Sequence, residues 1–178
     1  MNIFYLHYDP KINAQYHVDK HIVKMCIEYA QLLSTAHRLL DGSVYKGKTK
    51  NNRNIKRWYL NDHRESLLYK ASHVNHPSNI WARHSIENYN YLFLIYLSCL
   101  KEYTHRYGKI HGSQNLDYIL STPPNNIQSL GITPIPQCMP DYCKVPHDSM
   151  SAYRKYYISE KNTFANWTKR PKPNWYNI

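Results

Sequence analysis

Residues 14–40 read AQYHVDKHIVKMCIEYAQLLSTAHRLL and are followed by Asp41-Gly42. Val18, Ile22, Met25 or Cys26, Tyr29, Leu32 or Leu33, Ala36 and Leu40 recur at steps of three and four, the spacing of one helix face. The pattern predicts one long helix from Ala14 to Leu40, closed at Gly42 by the left-handed cap that glycine adopts easily. The opposite stripe reads His17, His21, Lys24, Glu28, Gln31, Thr35 and Arg38. A solvated helix face is ordinarily rich in Glu and Lys. This one carries histidine, glutamine and threonine around a single carboxylate, Glu28, which has Lys24 on one side and Arg38 further along.

Outward from this helix, the same reasoning gives a short apolar segment over Met1–Tyr8 that ends at the turn Tyr8-Asp9-Pro10. Residues 43–58 form a polar connection without an acidic residue, carrying Lys46, Lys48, Lys50, Arg53, Lys56 and Arg57 between Tyr45 and Trp58. A second helix is expected over 61–71. A third is expected over 78–107, after the break at Asn75-His76-Pro77 and before Gly108. Residues 122–147 hold six of the ten prolines and show no period, which marks a long irregular connection. A last helix begins at Asp148, an N-cap residue type, and runs to Trp167 ahead of Pro171 and Pro173. The expectation is a single all-α domain over 1–178, with an irregular Pro-rich loop at 122–147.

Composition narrows the function classes. The 178 residues carry 23 Lys plus Arg against 12 Asp plus Glu, a net charge of +11, with pI near 9.4 and mean hydropathy −0.70. Such an excess favours a polyanionic partner. No apolar run approaches the ~20 residues of a membrane-spanning helix, and residues 1–20 lack a secretory pattern. Cys26, Cys99, Cys138 and Cys143 are therefore expected as reduced thiols in an intracellular protein. Eighteen tyrosines stand beside three phenylalanines, which suits half-wet faces. The abundance of Asn, Lys, Ile and Tyr also fits the coding bias of an AT-rich, viral genome.

Several of these residues together resemble one family. Asp19-Lys20-His21-Ile22 followed by Glu28 is similar to the Asp-x-His-Leu…Glu pattern in the first helix of the phage pyrimidine-dimer DNA glycosylases of the endonuclease V type. Ala36-His37-Arg38-Leu39…Gly42 resembles the basic end of that helix. Ser72-His73-Val74 resembles its Gly-His-Val, Tyr107-Gly108 its Arg-Gly-Phe stop, and Arg170-Pro171…Asn174-Trp175-Tyr176 its Arg-Pro-x-Trp-Tyr tail. The resemblance spans about two-thirds of the chain in patches, interrupted around 43–57 and 122–147. It implies an all-helical DNA glycosylase with abasic-site lyase activity, acting on damaged double-stranded DNA as a monomer and without a cofactor.

In that family the N-terminal α-amine forms a Schiff base with sugar C1′, assisted by a carboxylate on the first helix, here Glu28. An α-amine of pKa about 8 is partly neutral at pH 7 and so is a usable nucleophile. The family exposes the amine of a small second residue; position 2 here is Asn2, beside which Met1 is usually kept, so the amine is that of Met1, or of Asn2 where Met1 is removed, unless the chain lacks this nucleophile. The family's arginines beside the carboxylate are replaced by Ile27 and Gln31. The resemblance implies that His21 and Arg38 hold phosphates or orient Glu28. DNA contacts are expected from Lys20, Lys24, Gln31, Arg38, Lys46, Lys48, Arg53, Lys56, Arg57 and His73. Trp175 and Tyr176 are expected to stack on an extruded base.

Two other classes of function stand beside this one. The first is a non-catalytic nucleic-acid-binding protein on the same scaffold. The second is a metal-dependent hydrolase using His17 and His21, which share a helical face at i, i+4, with His73 and His76 as added ligands. Cys138, Cys143 and His147 are at most three arms of a zinc knuckle, since the spacing matches no common pattern and a fourth ligand must come from elsewhere; the alternative is a pair of ordinary half-buried thiols.

Overall fold

A computed structural model describes residues 1–177. Among them are seven α-helices and one two-stranded antiparallel sheet, so the all-α expectation is corrected to a helix-rich mixed fold. The strands are β1 (Ser43–Lys48) and β2 (Asn54–Tyr59), within the stretch read from sequence as a polar connection. They pair in register from Ser43 with Tyr59 to Lys48 with Asn54. The β-branched and aromatic residues Val44, Tyr45, Ile55, Trp58 and Tyr59 favour extended backbone. Asn52 takes positive φ (58°) in the turn between them.

The long first helix is two helices, α1 (Pro10–Tyr16) and α2 (Asp19–Asp41), because His17 and Val18 are extended. Asp9 caps α1 by accepting from the Lys11 and Ile12 amides, and Pro10 occupies the first helical turn. That pair is a helix start as well as a turn signal. Gly42 is not left-handed (φ −92°). Its glycine is required for space, since a Cβ there collides with the Arg38 carbonyl oxygen and comes within 3.0 Å of the Tyr59 carbonyl oxygen.

The expected helix over 61–71 shrinks to α3 (Arg64–Leu67), after which the chain is extended at Leu68. The third helix divides into α4 (Pro77–Ala82) and α5 (Ile86–Tyr107), where the Ser85 hydroxyl accepts from the Asn88 amide and restarts the helix. Gly108 closes α5 with φ 65°. A short helix α6 (Asp117–Leu120) follows a 3-10 turn over Gly112–Leu116. The last helix, α7 (Ser149–Glu160), is capped by Asp148 and ends seven residues before Trp167.

The core surrounds α2. Ile22, Met25, Cys26, Tyr29, Leu32, Leu33 and Ala36 are completely buried, and they meet Leu92, Ile95, Tyr96 and Cys99 of α5. Helix α2 is also enclosed along part of its polar stripe, because His21, Thr35 and Arg38 are buried, as are His17 just before the helix and His37 beside Arg38. Arg106 at the end of α5 binds Asp19 at 2.8 Å, the His17 carbonyl oxygen at 2.9 Å and Glu102 at 2.7 Å. Arg170 completes this cluster on Glu102 at 2.8 Å and ties the C-terminal tail to it.

Phenols organise the irregular segments. Tyr89 donates to the Leu120 carbonyl, Tyr96 to that of Ser113, and Tyr153 to that of Pro136. A buried phenol satisfies its hydroxyl in this way while its ring fills the core.

Candidate functional site

The N-terminal segment is fixed before it reaches the surface. Ile3 and Phe4 are buried. The Phe4 amide donates to the Tyr29 hydroxyl at 3.3 Å, and the Phe4 carbonyl accepts from Asn13 Nδ2 at 3.1 Å. The Asn13 Oδ1 also accepts from the Leu6 amide at 2.7 Å. Met1, half-buried, then packs at the edge of the core.

Electrostatics link three charged or titratable groups to His76. Burial lowers the His76 pKa, the N-terminal ammonium and His73 lower it further, and Glu28 raises it. The α-amine, Glu28 and His73 therefore all lie within electrostatic reach of one imidazole. Glu28 is 13% exposed and pairs with Lys24 at 3.1 Å, whereas Lys24 is 63% exposed. Such a lysine can exchange its partner for a phosphate at little cost. His76 Nδ1 accepts from the Ser78 amide at 3.2 Å, so the neutral imidazole carries its proton on Nε2. His73 is exposed and takes positive φ (49°). His76 was assigned from sequence only as a metal ligand; the signal for its capping role was the Pro77 that follows it.

The other expected site residues divide into surface and interior. Lys20 and Lys24 are exposed on α2, and Gln31 is half-buried. Lys46, Lys48, Arg53 and Lys56 are exposed, and Arg57 is half-exposed. His21, by contrast, is stacked on Phe4 with ring centroids 4.2 Å apart and hydrogen-bonded to the Tyr157 hydroxyl at 2.6 Å. Burial pushes its pKa down to about 2. No hydrogen bond joins His21 to Glu28 among the described residues, so it does not orient the carboxylate.

Arg38 is likewise interior. Its guanidinium donates to the carbonyls of Trp58, Glu65, Leu68 and Tyr69 and to the Glu65 carboxylate. No donor is left for a phosphate, and the extended chain after α3 is held by this one side chain. Tyr176 is buried against Trp167 at 4.8 Å, and Trp175 lies 6.2 Å from Tyr157. The tail residues expected to stack on a base are thus packed into the protein.

The metal arrangement fails on donors. His17 spends Nδ1 on the Asn13 carbonyl at 2.7 Å and Nε2 on the Tyr29 hydroxyl at 3.1 Å. Among the described residues no three His, Cys, Asp or Glu side chains are grouped to hold a metal ion, Cys138, Cys143 and His147 included. All four cysteines are free thiols. No helix among the described residues is long and apolar enough to cross a membrane. No protein-family model matches the chain, and no curated protein or solved structure matches it.

Proposed function

We propose that this chain is a DNA-repair glycosylase with abasic-site lyase activity, acting on damaged duplex DNA from its N-terminal α-amine with Glu28 as the assisting carboxylate. The observation that carries this reading is electrostatic: the N-terminal ammonium lowers the His76 pKa and Glu28 raises it, so both charges act on one imidazole. An amine, a carboxylate and a neutral imidazole are the groups needed to make and resolve an imine. The net charge of +11 supplies attraction for a polyanionic substrate.

In this mechanism the neutral amine attacks C1′ of the damaged nucleotide, and the bond from C1′ to the base breaks with the base leaving. Loss of a proton from nitrogen and opening of the sugar ring give the protonated imine. Glu28 takes a proton from C2′, and the 3′ phosphate departs by β-elimination. Water then hydrolyses the imine and returns the amine. When DNA arrives, Lys24 moves from Glu28 to a phosphate and leaves the carboxylate free to act as the base. The Nε2–H of His76 is a donor for the developing alkoxide of the opening sugar.

The test is borohydride reduction of the protein on an oligonucleotide carrying one abasic site, followed by intact-mass and peptide mapping. The expected result is one covalent adduct on the amine of residue 1, or of residue 2 if Met1 is removed. Binding without any adduct overturns the enzyme reading and leaves a non-catalytic nucleic-acid-binding module.

A further inference from the structure

The β1–β2 ribbon carries a surface that its own stability does not explain. In an antiparallel pair, directly opposed residues share a face and neighbours along a strand alternate. The register therefore puts Val44, Lys46, Lys48, Asn54, Lys56 and Trp58 on one face, with Tyr45, Gly47, Ile55, Arg57 and Tyr59 on the other. The second face is partly filled from within the ribbon. The Arg57 stem lies so close over Gly47 that a Cβ there comes within 2.9 Å of it, and the Tyr45 ring lies beside it. The first face presents three exposed lysines, and Lys46 stands directly opposite Lys56. Opposed like charges destabilise a hairpin. No acidic residue lies between Gly42 and Asn61, and none of Lys46, Lys48, Lys50, Arg53, Lys56 and Arg57 has an ion-pair partner among the described residues. The tip is closed by the Thr49 amide on the Arg53 carbonyl at 2.9 Å and by the Arg53 amide on the Thr49 hydroxyl at 3.1 Å. The base is gripped by Arg38 through the Trp58 carbonyl at 3.1 Å.

We infer that this ribbon enters the major groove of B-form duplex DNA with its lysine face toward the base edges and the flanking phosphates. Each strand has six residues, about 20 Å of extended chain. The major groove of B-DNA is ~12 Å wide and admits a two-stranded ribbon, whereas that of A-form RNA is too narrow and deep for side chains to enter. Opposed lysines that repel one another in the free protein are neutralised by phosphates on the two groove walls. The inference rests on the duplex-DNA reading above for its setting, and it assigns to the ribbon the grip on undamaged flanking sequence.

The experiment uses the full chain with an undamaged B-form duplex, reading salt-dependent affinity and dimethyl sulfate protection of guanine N7, which lies in the major groove. Wild type is expected to protect N7 over one groove segment. The double variant Lys46→Ala, Lys56→Ala is expected to lose that protection and to flatten the slope of log affinity against log salt by about 2. Its melting temperature is expected to stay level or rise as the lysine repulsion is removed. Should the double variant melt lower, Lys48→Ala alone, opposite Asn54, is expected to give half of the slope change. Absence of N7 protection by wild type overturns the inference. So does equal binding of an A-form RNA duplex with the same loss in the variant. Borohydride trapping of wild type on an abasic oligonucleotide is run alongside as the separate test of the glycosylase reading. A wild type that protects N7 but traps nothing sinks the glycosylase reading and leaves the ribbon standing.

Discussion

The Arg38 guanidinium lies 2.5 Å from the Glu65 carboxylate, and the same carboxylate accepts from the Leu60 amide at 3.0 Å. The end of α2, the exit of the ribbon and the start of α3 thus meet at one ion pair, with Arg38 wholly buried. Bonds to the Glu65 and Leu68 carbonyls complete a planar donor set that an ammonium cannot reproduce. Arg38→Lys is expected to cost about 3 kcal/mol or more, because buried partners are left unpaired. Urea denaturation followed by circular dichroism measures this. An unchanged midpoint would show that Arg38 is not the staple described.

Under the proposed function, variants of Glu28 and Lys24 are expected to separate catalysis from attraction. Glu28→Gln is expected to slow β-elimination by about 10²–10⁴-fold, the usual worth of a general base, while leaving duplex affinity intact. Lys24→Ala is expected to leave stability within about 0.5 kcal/mol. Its salt dependence of duplex binding is expected to fall by about one unit. Single-turnover lyase rates beside anisotropy titrations distinguish the two.

Acid is expected to unfold the protein earlier than its carboxylates alone would dictate. Burial holds the pKa of His17 at about 4, of His37 at about 4 and of His21 at about 2, against 6.5 in an unfolded chain. Below pH 6.5 the unfolded chain therefore binds protons that the folded one refuses, and stability falls as pH falls. Each histidine contributes on the order of 1–2 kcal/mol of that loss by pH 5. Glu65 and Asp62 are held low, at about 2, by hydrogen bonds and neighbouring cations, so their stabilisation is lost only at lower pH. Thermal melts at constant ionic strength should show a plateau above pH 6.5 and a steady decline beneath it. A flat profile from pH 7 to 5 would contradict the neutral interior.

The tail is expected to matter to the fold and not to the lesion. Tyr176→Ala opens a gap beside Trp167 and is expected to cost about 3 kcal/mol. Affinity for abasic duplex at a temperature where the variant remains folded is expected to match wild type. A selective loss of lesion binding would return Tyr176 to the role that the resemblance implied.

What could be read from sequence depended on how local its cause was. Gly108, Asp148 and the prolines of 122–147 act on their own backbone, and each sits where its chemistry says. The ribbon was missed because its strands alternate lysine with mixed neighbours and lack the apolar alternation of a half-buried sheet. His21 and Arg38 were read as reaching DNA or Glu28, and His37 as part of the basic end of the helix, because polar groups on a helix usually face outward. What encloses them comes from residues far along the chain, Glu65, Tyr157 and Tyr89. Three of the residues quoted for the resemblance, Asp19, Arg38 and Arg170, belong to ion pairs within the protein. Those positions hold the architecture together, and of the residues that carried the resemblance Glu28 stands apart, paired only with the exposed Lys24.

The phenol clamps have a consequence for the segment 122–147 taken alone. Residues 122–147 have a single 3-10 turn among them, and the carbonyl of Pro136 is fastened by Tyr153 of α7 while Thr133 is fastened by Asn88 and Trp81. The loop has little structure of its own to nucleate from, and its shape depends on partners in α4, α5 and α7. A peptide cut from it has no reason to keep this shape on its own, and is expected to show no ordered circular dichroism signal.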